Sequence, residues 1–178
     1  FELPLKLGAY NFVPFATLRG SYWDGQPRDS GALWRWFGVG GVRASTIFSR
    51  VYDSIESALF EIHRIRHIIK PEVVAWSAGS NVRSDELTPF TYGIETIDPF
   101  YGFGARVAQT WQTKRGPAGN ERSVDVVTLN LGAGFFGNAD DRPNISDGWV
   151  DPIRPENSWT NNYIGGDAAW RISDTTAL

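Results

Sequence analysis

Cysteine and methionine are both absent from the 178 residues. Without thiols the chain can hold no disulfide framework, no thiolate zinc site and no cysteine nucleophile, and the redox compartment stays open. Net charge is only −3, with a pI of about 5.4, which removes the electrostatic basis for general nucleic-acid binding. No nucleic-acid partner is therefore expected. No run approaches the roughly 18–20 uncharged apolar residues of a membrane-spanning helix. That excludes a helical membrane protein and leaves a barrel open. The chain begins Phe1-Glu2-Leu3-Pro4, without the basic-then-apolar pattern of a signal peptide. With the missing methionine, this start reads as a processed product or an excised fragment.

What is abundant points to β-structure. Apolar residues make up 42% and aromatics 14% of the chain, with 19 Gly, which suits one ordered domain over 1–178 and not a disordered polymer. Side chains of a strand alternate between two faces. From 12 to 23 one face carries Phe12, Pro14, Ala16, Leu18, Gly20 and Tyr22, the other Val13, Phe15, Thr17, Arg19, Ser21 and Trp23. The same split runs through 36–50, 65–77, 101–111 and 127–135, and shorter candidates lie at 3–7 and 164–172. Seven strands are expected, with no repeat of fixed period.

Five of these segments run to about 9–15 residues, longer than the usual 5–6 of soluble strands and matching the 9–11 of membrane-spanning ones. Aromatics gather at their ends: Tyr22, Trp23, Trp34, Trp36, Tyr101, Phe103, Trp111, Phe135 and Phe136. Interfacial girdles of a transmembrane barrel would lie there. Connections alternate, for the most part, between short (8–11, 115–121) and long (24–33, 79–100, 137–163), with 51–64 intermediate. An up-and-down meander requires such parity. One stretch is ambiguous. Ile55, Ala58, Leu59, Ile62, Ile65 and Ile69 share a helical face between Ser54 and Pro71, and the favoured compromise is a helical turn over 53–60 that feeds a strand.

Motifs for chemistry are weak. His63 and His67 have the i, i+4 spacing of metal ligands but no third ligand, so two strand histidines are expected and no metal. Gly-x-Ser-x-Gly is absent, and no catalytic role is expected. Gly102-Phe103-Gly104 and Gly132-Ala133-Gly134 fit strand glycines, not phosphate loops, and no cofactor is expected. Asp140, Asp141, Asp147 and Asp151 lack calcium-loop spacing and suit a solvated loop. Pro14 and Pro71 fall inside strands, where each removes a ladder donor. Charge is the stronger signal: Arg19, Arg43, Arg64, Arg66, Lys70, Arg106 and Lys114 share the second faces with Glu72 as the one carboxylate. Such a cationic wall attracts an anionic solute, unless carboxylates on strands outside this sequence pair with it.

Arg66-His67-Ile68-Ile69-Lys70-Pro71-Glu72, then Tyr101-Gly102-Phe103-Gly104-Ala105-Arg106-Val107, Gln109 to Arg115 and Val127 to Gly132 together resemble the barrel domain of the lipopolysaccharide-assembly outer-membrane protein family, also called organic solvent tolerance proteins. The resemblance covers roughly residues 3–136. It implies a segment of a very large barrel in the cell outer membrane that hands lipopolysaccharide to the outer leaflet. The implied partners are a plugging lipoprotein, periplasmic bridge proteins and membrane lipid. The family's periplasmic jelly roll and its cysteines have no counterpart in these residues, and seven strands are too few for its lumen. Arg19, Arg43, Arg66, Lys70 and Arg106 are the lumen-facing candidates that the resemblance carries over. The expectation is thus an all-β, antiparallel up-and-down transmembrane β-barrel, present in part. The alternatives are a small porin-like or adhesin barrel, and a soluble carbohydrate-binding β-sandwich whose uncharged faces meet in a core.

Overall fold

A computed structural model describes residues 1–24, 31–83, 100–117, 119–137, 150–151, 153–158 and 162–172. They form β1 (Leu5–Leu7), β2 (Tyr10–Trp23), β3 (Leu33–Thr46), β4 (Phe48–Ser57), β5 (Ile62–Ser80), β6 (Tyr101–Arg115), β7 (Arg122–Phe136) and β8 (Tyr163–Trp170). All eight belong to one antiparallel sheet, ordered β1-β2-β3-β5-β6-β7-β8 with β4 also beside β5. Among the described residues there is no α-helix, only a 3-10 turn at Pro155–Asn157. The sheet is open: β1 pairs only with β2, and β8 only with β7.

Eight strands occupy seven positions because β3 and β4 lie end to end along β5. Ser45 pairs with Glu72 and Phe48 with Ile69, so the register runs unbroken from one to the other. Continuing it sets Thr46 opposite Pro71, which has no N–H to give the ladder, and the strand is interrupted one residue on, at Ile47. The expected 36–50 strand is therefore one line with a break.

The region 53–60 is a correction. Neither a helix over 54–70 nor a helical turn over 53–60 forms. β4 continues to Ser57, and the chain reverses over Ala58–Glu61. Between Tyr52 and Glu56 the register shifts, so three residues of β4 stand opposite Arg64 alone. That bulge removes the period of two from the sequence and leaves spacings that imitate a helical face.

With this turn shortened, the alternation of connections becomes strict. Residues 8–9, 58–61 and 116–121 are short turns, while 24–32, 81–100 and 137–162 are long. Gly8 (φ 61°) and Gly116 (φ 119°) sit in the short turns in the left-handed region that costs glycine little.

The two faces differ in what covers them. On one, Phe15, Phe37, Val39, Val74, Trp76, Phe100 and Phe136 form a buried cluster, with Ala78 and Tyr163 against it. The Trp76 ring crosses directly over Gly102, where a Cβ would collide with it, and packs edge-on to Phe100 and Phe136. On the other face Leu18 (74% exposed), Trp36, Val42, Val73, Phe103, Leu131 and Ile164 (86%) have no second layer over them among the described residues. A sandwich would bury these side chains under a second sheet, and the described residues form one sheet.

Candidate functional site

The bare face is built by alternation. In β2 it carries the even-numbered residues 12–22, in β3 those of 34–46, in β5 the odd-numbered residues 67–79, in β6 those of 101–111 and in β7 those of 127–135. Pairings such as Gly40 with Ser77, Ala75 with Phe103 and Phe103 with Phe135 carry that face across the sheet. None of these positions is charged; β4 adds Phe48 to this face and then Arg50, which pairs with His67 at the level of Trp111. The polar pair His67 and Gln109 is internally satisfied, with Nε2 and Oε1 3.1 Å apart, and the His67 ring stacks on Trp111 at 4.4 Å.

Aromatic residues bound the band at both ends. Toward the long connections stand Tyr22 and Trp34, whose ring centroids are 4.6 Å apart, with Trp36, Tyr101, Phe103 and Phe135, all exposed. Toward the short turns stand Tyr10, Phe48, Trp111 and Trp170. Tyr10 to Tyr22, Trp36 to Phe48 and Tyr101 to Trp111 are about ten to twelve residues apart. At about 3.3 Å per residue this is roughly 33–40 Å along the strand; at the tilt of about 40° usual in outer-membrane barrels it would span roughly 25–30 Å, against about 25 Å for their apolar band. Phe136, expected in the girdle, is instead buried in the cluster on the opposite face. It pairs with Gly102, a covered-face residue, so alternation turns it inward.

The covered face holds the charge. Arg43, its side chain largely buried, donates through Nη1 to Glu2 Oε1 (2.9 Å) and through Nη2 to Glu156. Glu156 is 3% exposed and rides in on the Pro155–Asn157 turn, whose Pro155 ring seats on Gly104. Arg154 adds a second contact to Glu2 at 3.1 Å. Next along the wall, Lys70 Nζ meets Glu72 Oε2 at 2.8 Å. Arg106 Nη2 donates to Asn130 Oδ1 (3.1 Å), and Asn130 Nδ2 to Asp167 Oδ2 (2.9 Å). These groups surround a cavity of about 400 Å³ lined by Arg43, Glu72, Arg106, Asn130, Asp167 and Tyr163 among others.

The five lumen candidates thus have different fates. Arg43, Lys70 and Arg106 converge on this ladder, Lys70 through Glu72. Arg19 lies in β2, half-buried and opposite Phe37. Arg66 lies further toward the short turns, opposite Gln112. Carboxylates that neutralise the ladder come from within the chain: Glu2, Glu156 and Asp167 join Glu72. Near the long connections the wall is also partly apolar, through the buried cluster. Glu156 was beyond sequence reasoning because it meets Arg43 across 113 positions. Asp167 follows from alternation once β8 is paired with β7. Of the acidic loop residues, Asp140, Asp141 and Asp147 lie outside the described residues; Asp151 Oδ1 accepts from the backbone N–H groups of Ile153 and Arg154. His63 is in β5 with its backbone N–H on Thr113 Oγ1.

No protein-family model matches the chain, nor does any curated protein or solved structure.

Proposed function

We propose that the chain is a stretch of wall from an outer-membrane β-barrel of the lipopolysaccharide-assembly kind, with its bare face in lipid and its covered face toward a polar lumen. One observation carries the membrane part: an uncharged band crosses the sheet between two aromatic rows, with Arg50 of β4 at the level of the short-turn row, while the opposite face holds the Arg43, Lys70 and Arg106 ladder. Contiguous exposed apolar surface of this extent is unusual for a protein bathed in water, and a bilayer is a solvent in which it costs nothing. The lipopolysaccharide part rests on the sequence resemblance and on the chemistry of the lumen side. Guanidinium, ammonium, amide and carboxylate groups in alternation suit a glycan that carries both hydroxyls and phosphates, while its acyl chains stay with the hydrocarbon side. In this role the residues bind and guide; no bond is made or broken. By the same reasoning the lipoprotein plug and periplasmic bridge are its proposed partners.

A photo-crosslinking experiment tests the proposal. Benzoyl-phenylalanine is placed at Ala108 or Thr110 on the covered face and at Ala105 or Val107 on the bare face, in cells making lipopolysaccharide. Adducts through the sugar portion at the first pair, and adducts only through lipid acyl chains at the second, are expected. Absence of glycan adducts at Ala108 and Thr110 would remove the transport proposal while leaving the membrane wall standing.

A further inference from the structure

Toward the short turns the covered face changes character. Arg64, Arg66 and Lys114 line one cleft of about 220 Å³ together with Val51, Gln112, Thr113 and Ser123. Nearer the long connections every ladder cation has a carboxylate or amide partner; here, among the described residues, Arg66 and Lys114 form no ion pair. Arg64 is paired with Asp53 at 3.4 Å, and both side chains are mostly in solvent (58% and 77% exposed), where such a pair is weak. Asp125 lies beside the cleft but is engaged by Gln112 Nε2 at 2.8 Å.

The backbone beside these cations is distorted. Arg64 is held at φ 48°, in the left-handed region, as is Glu61 at φ 50°. For residues other than glycine this costs free energy and persists only where surrounding contacts enforce it. Thr113 supplies the enforcement: its buried hydroxyl accepts from His63 N–H at 2.9 Å and lies 3.0 Å from both the His63 and Arg64 carbonyl oxygens, to which it can donate. The three-residue bulge of β4 opposite Arg64 re-aims the side chain locally. Gathering three cations around one cleft is repulsive, and a compact dianion offsets the repulsion while accepting charge-assisted hydrogen bonds.

From this juxtaposition we infer that Arg64, Arg66 and Lys114 form a phosphomonoester-binding site at the short-turn end of the sheet, with Ser123 as a hydroxyl neighbour. The ligand is a phosphoryl group, whether free or on a lipid headgroup. This site stands independently of whether the bare face lies in a bilayer.

The test titrates the full chain, folded in detergent micelles, with inorganic phosphate, with dihexanoyl phosphatidic acid and with dihexanoyl phosphatidylcholine, by isothermal calorimetry. Saturable binding of phosphate or phosphatidic acid, but not of phosphatidylcholine, is expected, weakening as salt rises. Arg66→Gln and Lys114→Gln should each weaken it roughly tenfold, and Lys6→Gln, in β1, should leave it unchanged. Phosphatidic acid binding far tighter than phosphate would identify a headgroup as the source; equal affinity would identify the free ion. No binding of either, or binding unaltered in Lys114→Gln, would overturn the site. Lys114 is exposed, so that variant carries the test even if Arg66→Gln fails to fold. Failure here leaves the crosslinking result untouched, and failure there leaves this one untouched.

Discussion

Arg43 and Glu156 form the contact through which a long connection is pinned to the sheet. Arg43 also touches Glu2, whereas Glu156 is nearly sealed from solvent and has Arg43 as its only ion-pair partner among the described residues. Removing either partner is therefore unequal. Arg43→Met strands a buried carboxylate and should cost about 3–5 kcal/mol in urea unfolding. Glu156→Gln leaves Arg43 with Glu2 and an amide neighbour and should cost clearly less. Equal losses would mean that the pair is not what holds Glu156 inside. At this scale the sequence was legible only where neighbours in the ladder carry the charge, as for Lys70 and Glu72. The Arg43–Glu156 contact joins residues 113 positions apart, and nothing local in either segment announces it.

Strands were legible wherever the period of two survives. β2 alternates over its length, and β6 and β7 alternate as far as the register shift at Trp111/Gln112, because one side meets the buried cluster and the other does not. β4 was not legible, because a bulge at Tyr52–Glu56 breaks its period and Ile55, Leu59 and Ile62 then fall at helical spacing. The structure puts Leu59 at the tip of the Ala58–Glu61 turn, 83% exposed. Leu59→Glu should accordingly change stability by less than about 0.5 kcal/mol, whereas a helix burying that residue would lose far more. The bare face makes the opposite kind of prediction. Leu131→Lys, between the aromatic rows of β7, should destabilise the chain by about 2–4 kcal/mol when it is folded in a bilayer, with a smaller effect closer to either row. Urea titrations in liposomes measure this, and a neutral substitution would count against lipid contact at that position.

Across the whole molecule, seven strand positions form a wall that is open between β1 and β8, apolar on one side and salt-bridged on the other. Its two-sidedness was legible from alternation and charge. The covered face is mixed where a cationic wall with Glu72 as its one carboxylate was expected, because carboxylates from the amino-terminal segment, a long connection and β8 reach it. Sequence separation hid Glu2 and Glu156. The absence of cysteine makes a direct test simple, since each residue of β6 from Tyr101 to Trp111 can be replaced in turn by a single spin-labelled cysteine in liposomes. Accessibility to oxygen should alternate with a period of two and be highest at the odd-numbered positions around Ala105 and Val107, which a water-soluble nickel chelate should not reach. Chelate access to Ala105 and Val107 equal to that at the turn residues, or loss of the alternation, would contradict a lipid-facing wall.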